Sequence, residues 1–246
     1  MQLNEIITGD NIEILKGFPN DCVDLIVTSP PYNNWRNRRT QKKREAYWER
    51  TNIVYDSHSD KESEEEYERK QIEILNEMVR VLKPTGTICY NHKDQIFNFQ
   101  AKSPLTWILK SSALYRQRIT WDRGGMQAYN PIRFYRVEED IYILGKSYKG
   151  FKWNKEFAKY LSVWKISPSR NTYNHNATFP SELVERCIEA FTNKGDLVFD
   201  PYNGIGTTSL TAQRMERRFI GVDISEEYCN TARKRHEEPY QISLFL

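Results

Sequence analysis

Two short segments of this chain hold residue types that can do chemistry. The first is Thr28-Ser29-Pro30-Pro31-Tyr32. Consecutive prolines stiffen a loop and remove backbone donors. The Ser29 hydroxyl and the Pro30 carbonyl remain as acceptors beside an aromatic ring. That set suits an exocyclic amino group on a flat base: the acceptors take the N–H protons and Tyr32 stacks on the face. The second segment is Phe199-Asp200-Pro201-Tyr202-Asn203-Gly204-Ile205-Gly206-Thr207-Thr208. An acid ends an apolar run, a glycine-containing turn follows, and a helical pattern begins. This is the arrangement of a nucleotide-cofactor site at the C-terminal end of a parallel strand. Asp223 closes the next apolar run, where dinucleotide folds place a ribose-hydroxyl acceptor about 20 residues on. No lysine follows the glycines as in a phosphate-binding loop, so the cofactor has ribose and need not have phosphate. Taken singly, each segment also fits a plain tight turn, or a strand-ending Pro-Pro beside a packed tyrosine.

The elements that must position these segments follow from periodicity. Strands are expected at residues 3–7, 23–28, 87–90, 115–121, 140–144, 197–199 and 219–223. Helices are expected from Asn11 onward, from Ile72 to Leu82, and at 105–114, 180–191, 207–215 and 226–235. Lys83-Pro84-Thr85-Gly86 reads as the turn closing one of them. Alternating strands and helices predict a three-layer α/β domain with a mostly parallel sheet. Residues 33–66 break the pattern: a basic block (Arg36, Arg38, Arg39, Lys42, Lys43, Arg44) beside Tyr47 and Trp48 gives way to an acidic one. They read as a flexible loop ordered by a partner. Residues 146–175 are short, basic and aromatic.

The 246 residues suffice for one domain, 1–246, with a core that needs no disulfide or metal staple. A mean hydropathy of -0.75 and short apolar runs exclude a membrane protein, and no leader pattern opens the chain, so a cytoplasmic location is expected. Four cysteines and four histidines show no ligand spacing; reduced structural thiols and no metal are expected. Residues 101–176 carry 14 Lys/Arg against 5 Asp/Glu, within a chain of net charge +3. A basic middle on an acidic body points to a polyanion-binding face, and it equally describes an ordinary solvated surface.

The two motifs together resemble the S-adenosylmethionine-dependent amino-methyltransferases of DNA. Ser-Pro-Pro-Tyr is similar to their catalytic motif and Asp-Pro-x-x-Gly-x-Gly-Thr-Thr to their cofactor motif, in the circularly permuted beta order. Thr8-Gly9-Asp10-Asn11, Ala177-Thr178-Phe179-Pro180 and Phe219-Ile220-Gly221-Val222-Asp223 with Tyr228 resemble three further family segments, in family order. The resemblance implies a Rossmann-like methyltransferase fold: seven strands, six parallel and one reversed, with helices on both faces. It places Asp200, Gly204, Gly206 and Thr207 along the methionine side of the cofactor. It also assigns Asp223 to the ribose, Asp10 to the adenine amino group and Phe179 to packing on the cofactor. Asn11, Thr28, Pro201 and Asn203 complete the set. Tyr202-Asn203 departs from the Phe-plus-small-or-charged pair of many members, which leaves the role of Asn203 open.

By the same resemblance Ser29, Pro30, Pro31 and Tyr32 are catalytic, the target base is flipped out of duplex DNA, and Trp35 assists. Serine before Pro-Pro is associated in the family mainly with cytosine N4, aspartate with adenine N6. The expectation is therefore a cytosine-N4 methyltransferase of a restriction–modification system in the nucleoid. The alternatives are an N6-adenine enzyme, an RNA or protein amino-methyltransferase, and a non-catalytic DNA-binding subunit. Contacts to DNA are expected from Arg36, Arg38, Arg39, Lys146, Lys149, Lys152 and Arg170. A homodimer is compatible with the pattern. Gln241-Ile242-Ser243-Leu244-Phe245-Leu246 resembles the peptide with which bacterial replication and repair proteins bind the sliding clamp, and also suits a tail packed on its own domain or on a dimer mate.

Overall fold

The computed structural model describes residues 1–33, 63–97, 100–125, 134–148, 150–168 and 180–238. Caps fix where its helices begin. The Asp10 carboxylate accepts from the N–H groups of Ile12 and Glu13 and starts α1 (Asn11–Lys16). Ser63 accepts from Glu66 and starts α2 (Glu64–Val81), whose first turn sets Glu64, Glu65 and Glu66 at the positive end of the helix dipole. This corrects the expected 33–66 loop: the last acidic residues belong to a capped helix, and residues 34–62 lie outside the described ones. After a single turn, α3 (Leu105–Ile108), come α4 (Ser181–Phe191), α5 (Thr207–Arg214) and α6 (Glu226–Glu237). The helix expected over 105–114 is only that turn; the N–H of Ser112 is taken by the Asn76 side chain, and a strand starts at Leu114.

The strands are β1 (Glu5–Thr8), β2 (Val23–Thr28), β3 (Leu82–His92), β4 (Gln95–Phe97), β5 (Gln100–Lys102), β6 (Leu114–Asp122), β7 (Glu138–Gly145), β8 (Val163–Lys165), β9 (Leu197–Asp200) and β10 (Arg218–Asp223). Eight form one sheet in the order β1-β10-β9-β2-β3-β7-β6-β8, and β4 pairs with β5 as a small hairpin. Every strand of the large sheet runs parallel except β7, antiparallel to both neighbours. The seven expected strands are present. The eighth, β8, is an edge strand that periodicity over three residues could not reveal; a single 3₁₀ turn, Lys155–Lys159, precedes it.

Both faces of the sheet are covered. In β2, Ile26 faces the core formed with α1, α2 and α3, through Leu15, Leu75, Met78 and Trp107. Its neighbours Leu25 and Val27 face the core formed with α4, α5 and α6, through Leu183, Ile188, Ala212 and Cys229. A strand buried on both sides reads as a continuous apolar run, which is why β2 was visible. Its one acid, Asp24, is buried near the N-terminal end, where Lys83 (2.7 Å), the Leu197 N–H (3.0 Å) and Lys152 (3.3 Å) reach it. Burial pushes its carboxyl up, but these bonds outweigh burial and hold it below the ordinary range. All four cysteines are free, and no helix among the described residues is long and apolar enough to cross a membrane.

Chain order reverses between β9 and β2. After β9 the chain turns to β10 on one side; after β2 it goes to β3 on the other. The crevice at the C-terminal ends of these two strands is a topological switch point, where open α/β sheets bind ligands.

Candidate active site

Both chemical segments leave the sheet at that crevice. Thr28, the last residue of β2, donates from its hydroxyl to the Asp200 carboxylate at the end of β9, 2.7 Å away and fully buried. One hydrogen bond thus joins the serine loop to the glycine loop. Burial lifts the Asp200 carboxyl to about 6, and nearby Asp223 pushes the same way. The Thr208 side chain and the Tyr202 N–H (3.0 Å) also bond it and, with Thr28, hold the rise down.

The glycine loop is held by its neighbours. Asp223, at the end of β10, accepts from the N–H of Gly204 and of Ser225, each at 2.9 Å. Asn11 donates from its side-chain amide to the Pro201 carbonyl, 3.2 Å. Gly206 sits at φ 88° as the residue before α5, and a Cβ there would lie 2.9 Å from that of Ala232, so only glycine turns the chain onto the helix without strain. Thr207 opens α5. Asp10 lies exposed at the end of β1, beside β10, its carboxylate shared with the α1 cap. Asn203 is buried against Gly221, and both polar atoms of its side chain lack a hydrogen-bond partner. Three carboxylates, a turned glycine loop and an orphaned buried amide fit a cofactor with a cationic, hydroxyl-bearing head.

The serine loop rests on a polar network that the sequence did not flag. Ser29 is half-buried, its hydroxyl 3.4 Å from that of Tyr32. The Tyr32 hydroxyl donates toward Glu139 Oε2 (3.0 Å) and Asn91 Oδ1 (3.1 Å). Burial, then the Glu139 charge, pushes this phenol well above its usual range, so it stays a donor. Its ring packs on His92 with centroids 4.4 Å apart, and Lys93 Nζ lies 4.8 Å from its centroid. Below it, His92 Nε2 and the Tyr67 hydroxyl are 2.8 Å apart, and the Tyr67 hydroxyl donates to the Pro31 carbonyl at 3.0 Å. One tautomer satisfies the chain: Nε2–H donates to Tyr67, and Nδ1 accepts the Lys93 N–H at 2.9 Å. Burial lowers the His92 pKa to about 3, so the ring is neutral.

Glu139 is itself buried at the start of β7 and paired with Arg123 at 2.7 Å and Lys93 at 3.8 Å. Because β7 is reversed, its N-terminal end lies beside the C-terminal end of β3. This brings Glu138-Glu139-Asp140 to Asn91-His92-Lys93. The acidic triple ahead of an apolar strand was the available signal for these residues.

The expected DNA contacts divide. Lys146 and Lys152 lie at the end of the sheet opposite the crevice and are engaged there. Lys146 binds Asp21 and the carbonyls of Arg80 and Leu82. Lys152 binds Asp196 at 2.6 Å and Asp24 at 3.3 Å. All these partners lie at the N-terminal ends of the parallel strands, opposite the site, where buried and half-buried acids need cations. The stretch 146–175 starts at that far end and climbs along β8, so that Lys165 reaches the site end; residues 169–175 lie outside the described residues. At the site end Lys93, Arg118, Arg123 and Arg136 each lie beside an acid, and Lys165 is exposed. Arg36, Arg38, Arg39, Lys149, Arg170, Phe179, Trp35 and residues 241–246 lie outside the described residues.

Strand order, reversed β7 and switch-point crevice define a methyltransferase-type α/β sheet. The family model described as DNA methylase, for N6 and N4 amino-methylation, matches residues 23–234. The chain belongs to this family of DNA amino-methyltransferases. It is 29% identical to the type II methyltransferase M.BglII of Bacillus subtilis, over 94% of this chain and 68% of that protein. It is 28% identical to M.HpaI of Haemophilus parainfluenzae, over 96% and 74%. Among solved structures, the cytosine-N4-specific PvuII DNA methyltransferase superposes with a TM-score of 0.72 at 20% identity, over 94% of this chain and 85% of that one. A Thermus thermophilus protein complexed with S-adenosyl-L-methionine superposes with a TM-score of 0.67 at 25% identity, over 94% and 92%.

Proposed function

We propose that this chain transfers a methyl group from S-adenosylmethionine to the exocyclic N4 amine of cytosine in a short duplex DNA site. The observation that carries the reading is the Thr28–Asp200 bond, which sets the serine loop and the glycine loop at one crevice. S-adenosylmethionine is the cofactor; bound there, it supplies a methyl group on a cationic sulfur. Asp223 and Asp10 suit its hydroxyls and adenine amine, and Asp200 with Asn203 its amino-acid end.

The target nitrogen is a poor nucleophile because its lone pair is delocalised into the ring. Ser29 Oγ and the Pro30 carbonyl accept its two N–H bonds and draw it toward tetrahedral geometry, which returns the lone pair to nitrogen. The nitrogen–methyl bond forms as the methyl–sulfur bond breaks. The sulfur keeps the bonding pair as a neutral thioether, and the nitrogen then loses one proton to solvent. Tyr32, pinned by Glu139 and Asn91, offers a fixed ring edge to a flipped base. Serine, rather than an acid, before Pro-Pro supports cytosine. The cations at the site end and the segment from Lys165 suit the DNA backbone, within a restriction–modification pairing like that of the type II relatives.

Incubation with mixed DNA and labelled cofactor, followed by digestion to nucleosides, tests the reading. N4-methylcytosine is expected. N6-methyladenine would overturn the base assignment, methylated RNA or protein alone the substrate class, and no transfer the catalytic reading.

A further inference from the structure

At the far end of the sheet, between β6, β7 and the end of α4, lies a half-open cavity of about 420 Å³. Its described walls are largely aromatic: Tyr115, Tyr148, Phe151, Trp153 and Phe191. Aromatic rings at a surface cost solvation unless something covers them; Tyr148 is 93% exposed, and Phe151 and Trp153 are about two-fifths exposed.

One charged side chain is built into this cavity. The pairing of β6 with β7 slips between Tyr115 and Gln117, so Arg116 is the extra residue of a bulge. Bulges re-aim side chains. The Arg116 guanidinium lies 4.5 Å from the Phe151 ring and donates from Nη2 to the Ser147 carbonyl at 3.0 Å. Its Nη1 is buried with no hydrogen-bond partner. Gly145 makes room for it: a Cβ there would fall 2.4 Å from the guanidinium carbon. No aspartate or glutamate lines the cavity among the described residues, and burial alone lowers the Arg116 pKa. A half-buried guanidinium in an aromatic cavity with no carboxylate partner is suited to an anionic ligand.

We propose that this cavity binds a nucleotide, the phosphate on the Arg116 guanidinium and the base stacked among Phe151, Trp153 and Tyr148. An anion on a flat ring answers both features: the guanidinium lacks a carboxylate partner and the rings lack a cover. The ligand is a free nucleotide or one residue of a single strand. The site is separate from the crevice at the other end of the sheet and does not depend on which base that crevice methylates.

Trp153 in the wall makes binding visible by tryptophan fluorescence. The full chain, saturated with S-adenosylhomocysteine to fill the cofactor site, is titrated with deoxyadenosine monophosphate, deoxyadenosine, inorganic phosphate and a four-nucleotide single strand. The monophosphate is expected to bind about tenfold or more tightly than the nucleoside or phosphate alone, and Arg116→Met to remove that advantage. Methyl transfer to duplex DNA is expected to survive Arg116→Met, since Arg116 is not in the catalytic machinery. Arg116→Lys, which keeps the charge but loses the planar stack, should bind with intermediate strength. Tighter binding of the single strand than of the monophosphate, again lost in Arg116→Met, supports a strand as the source; equal binding supports the free nucleotide. No quenching by any nucleotide, or quenching equal in native chain and Arg116→Met, overturns the proposal.

Discussion

Tyr67→Phe removes one oxygen atom from the network beneath the serine loop. That hydroxyl receives the His92 Nε2–H at 2.8 Å and donates to the Pro31 carbonyl at 3.0 Å. His92 is 0% exposed, so its donor is left without a partner, at about 1–3 kcal/mol. Switching the tautomer gives only partial relief, because Nδ1–H then donates to the Lys93 carbonyl at 2.9 Å but no longer accepts the Lys93 N–H. The Pro31 carbonyl is half-buried and turns to water at little cost. A total of roughly 1–3 kcal/mol corresponds, at about 2–4 °C per kcal/mol for a domain this size, to a Tm lower by roughly 2–12 °C. The catalytic consequence is separate. Pro31 sits between the Pro30 carbonyl and Tyr32, so freeing it blurs the acceptor positions by a fraction of an ångström, for which a roughly ten- to hundredfold loss of kcat is expected. Asp223 and the glycine loop are untouched, so cofactor affinity should stay within about twofold. Single-turnover transfer of labelled methyl groups well below both melting temperatures, with calorimetric titration of the cofactor, reads both quantities. A lower Tm with unchanged kcat would refute the positioning role and leave Tyr67 as a core residue only.

Ser29→Ala should lower kcat by roughly 10²–10³ with cofactor affinity kept; full activity would remove Ser29 as an amine acceptor. Asp223→Ala loses the acceptor for the Gly204 and Ser225 N–H groups and should weaken cofactor binding by about 1.5–3 kcal/mol while DNA binding survives, as calorimetry and gel shift would show. Asp200→Asn tests the raised carboxyl. A folded pKa of about 6, above the ordinary value of about 4, means the folded chain holds that proton longer, so the group's destabilising effect appears as pH rises above about 4 and is complete above about 6. The variant's Tm should therefore gain on the native chain across that window, and a pH-independent difference would contradict the shift. Lys152→Met should lower Tm, since Asp196 and buried Asp24 lose a partner, while leaving DNA affinity unchanged in a binding titration; weaker binding would return Lys152 to the DNA face.

The parts of the fold read most directly were those where one face or both are buried continuously. β2, β9 and β10 declared themselves as apolar runs ending in Thr28, Asp200 and Asp223, and the cofactor crevice followed from those ends. The supporting network was hidden because its members are polar residues scattered over α2, β3 and β7. Only the antiparallel pairing of β3 with β7, His92 opposite Asp140, carries Glu139 to Asn91. Charge counting could not place Lys146 and Lys152 for a related reason. A local excess of lysine and arginine does not tell which end of a strand each residue reaches, and these two reach the end where Asp21, Asp24 and Asp196 wait. β8 was too short to show a period, and the capped start of α2 was masked by an acidic run that resembles solvated loop.

The Thr28–Asp200 bond spans 172 positions of the chain. Contacts so distant in sequence form late, because loop-closure entropy must be met before they reward the chain. β2–α2–β3 and β9–α5–β10 can each take shape from pairing of strands that are neighbours in the chain, yet neither holds both reacting partners. The crevice comes into being only when β2 docks beside β9 in the middle of the sheet. During refolding, helical signal should therefore return before the ability to transfer a methyl group, and the lag between them would time that central docking step.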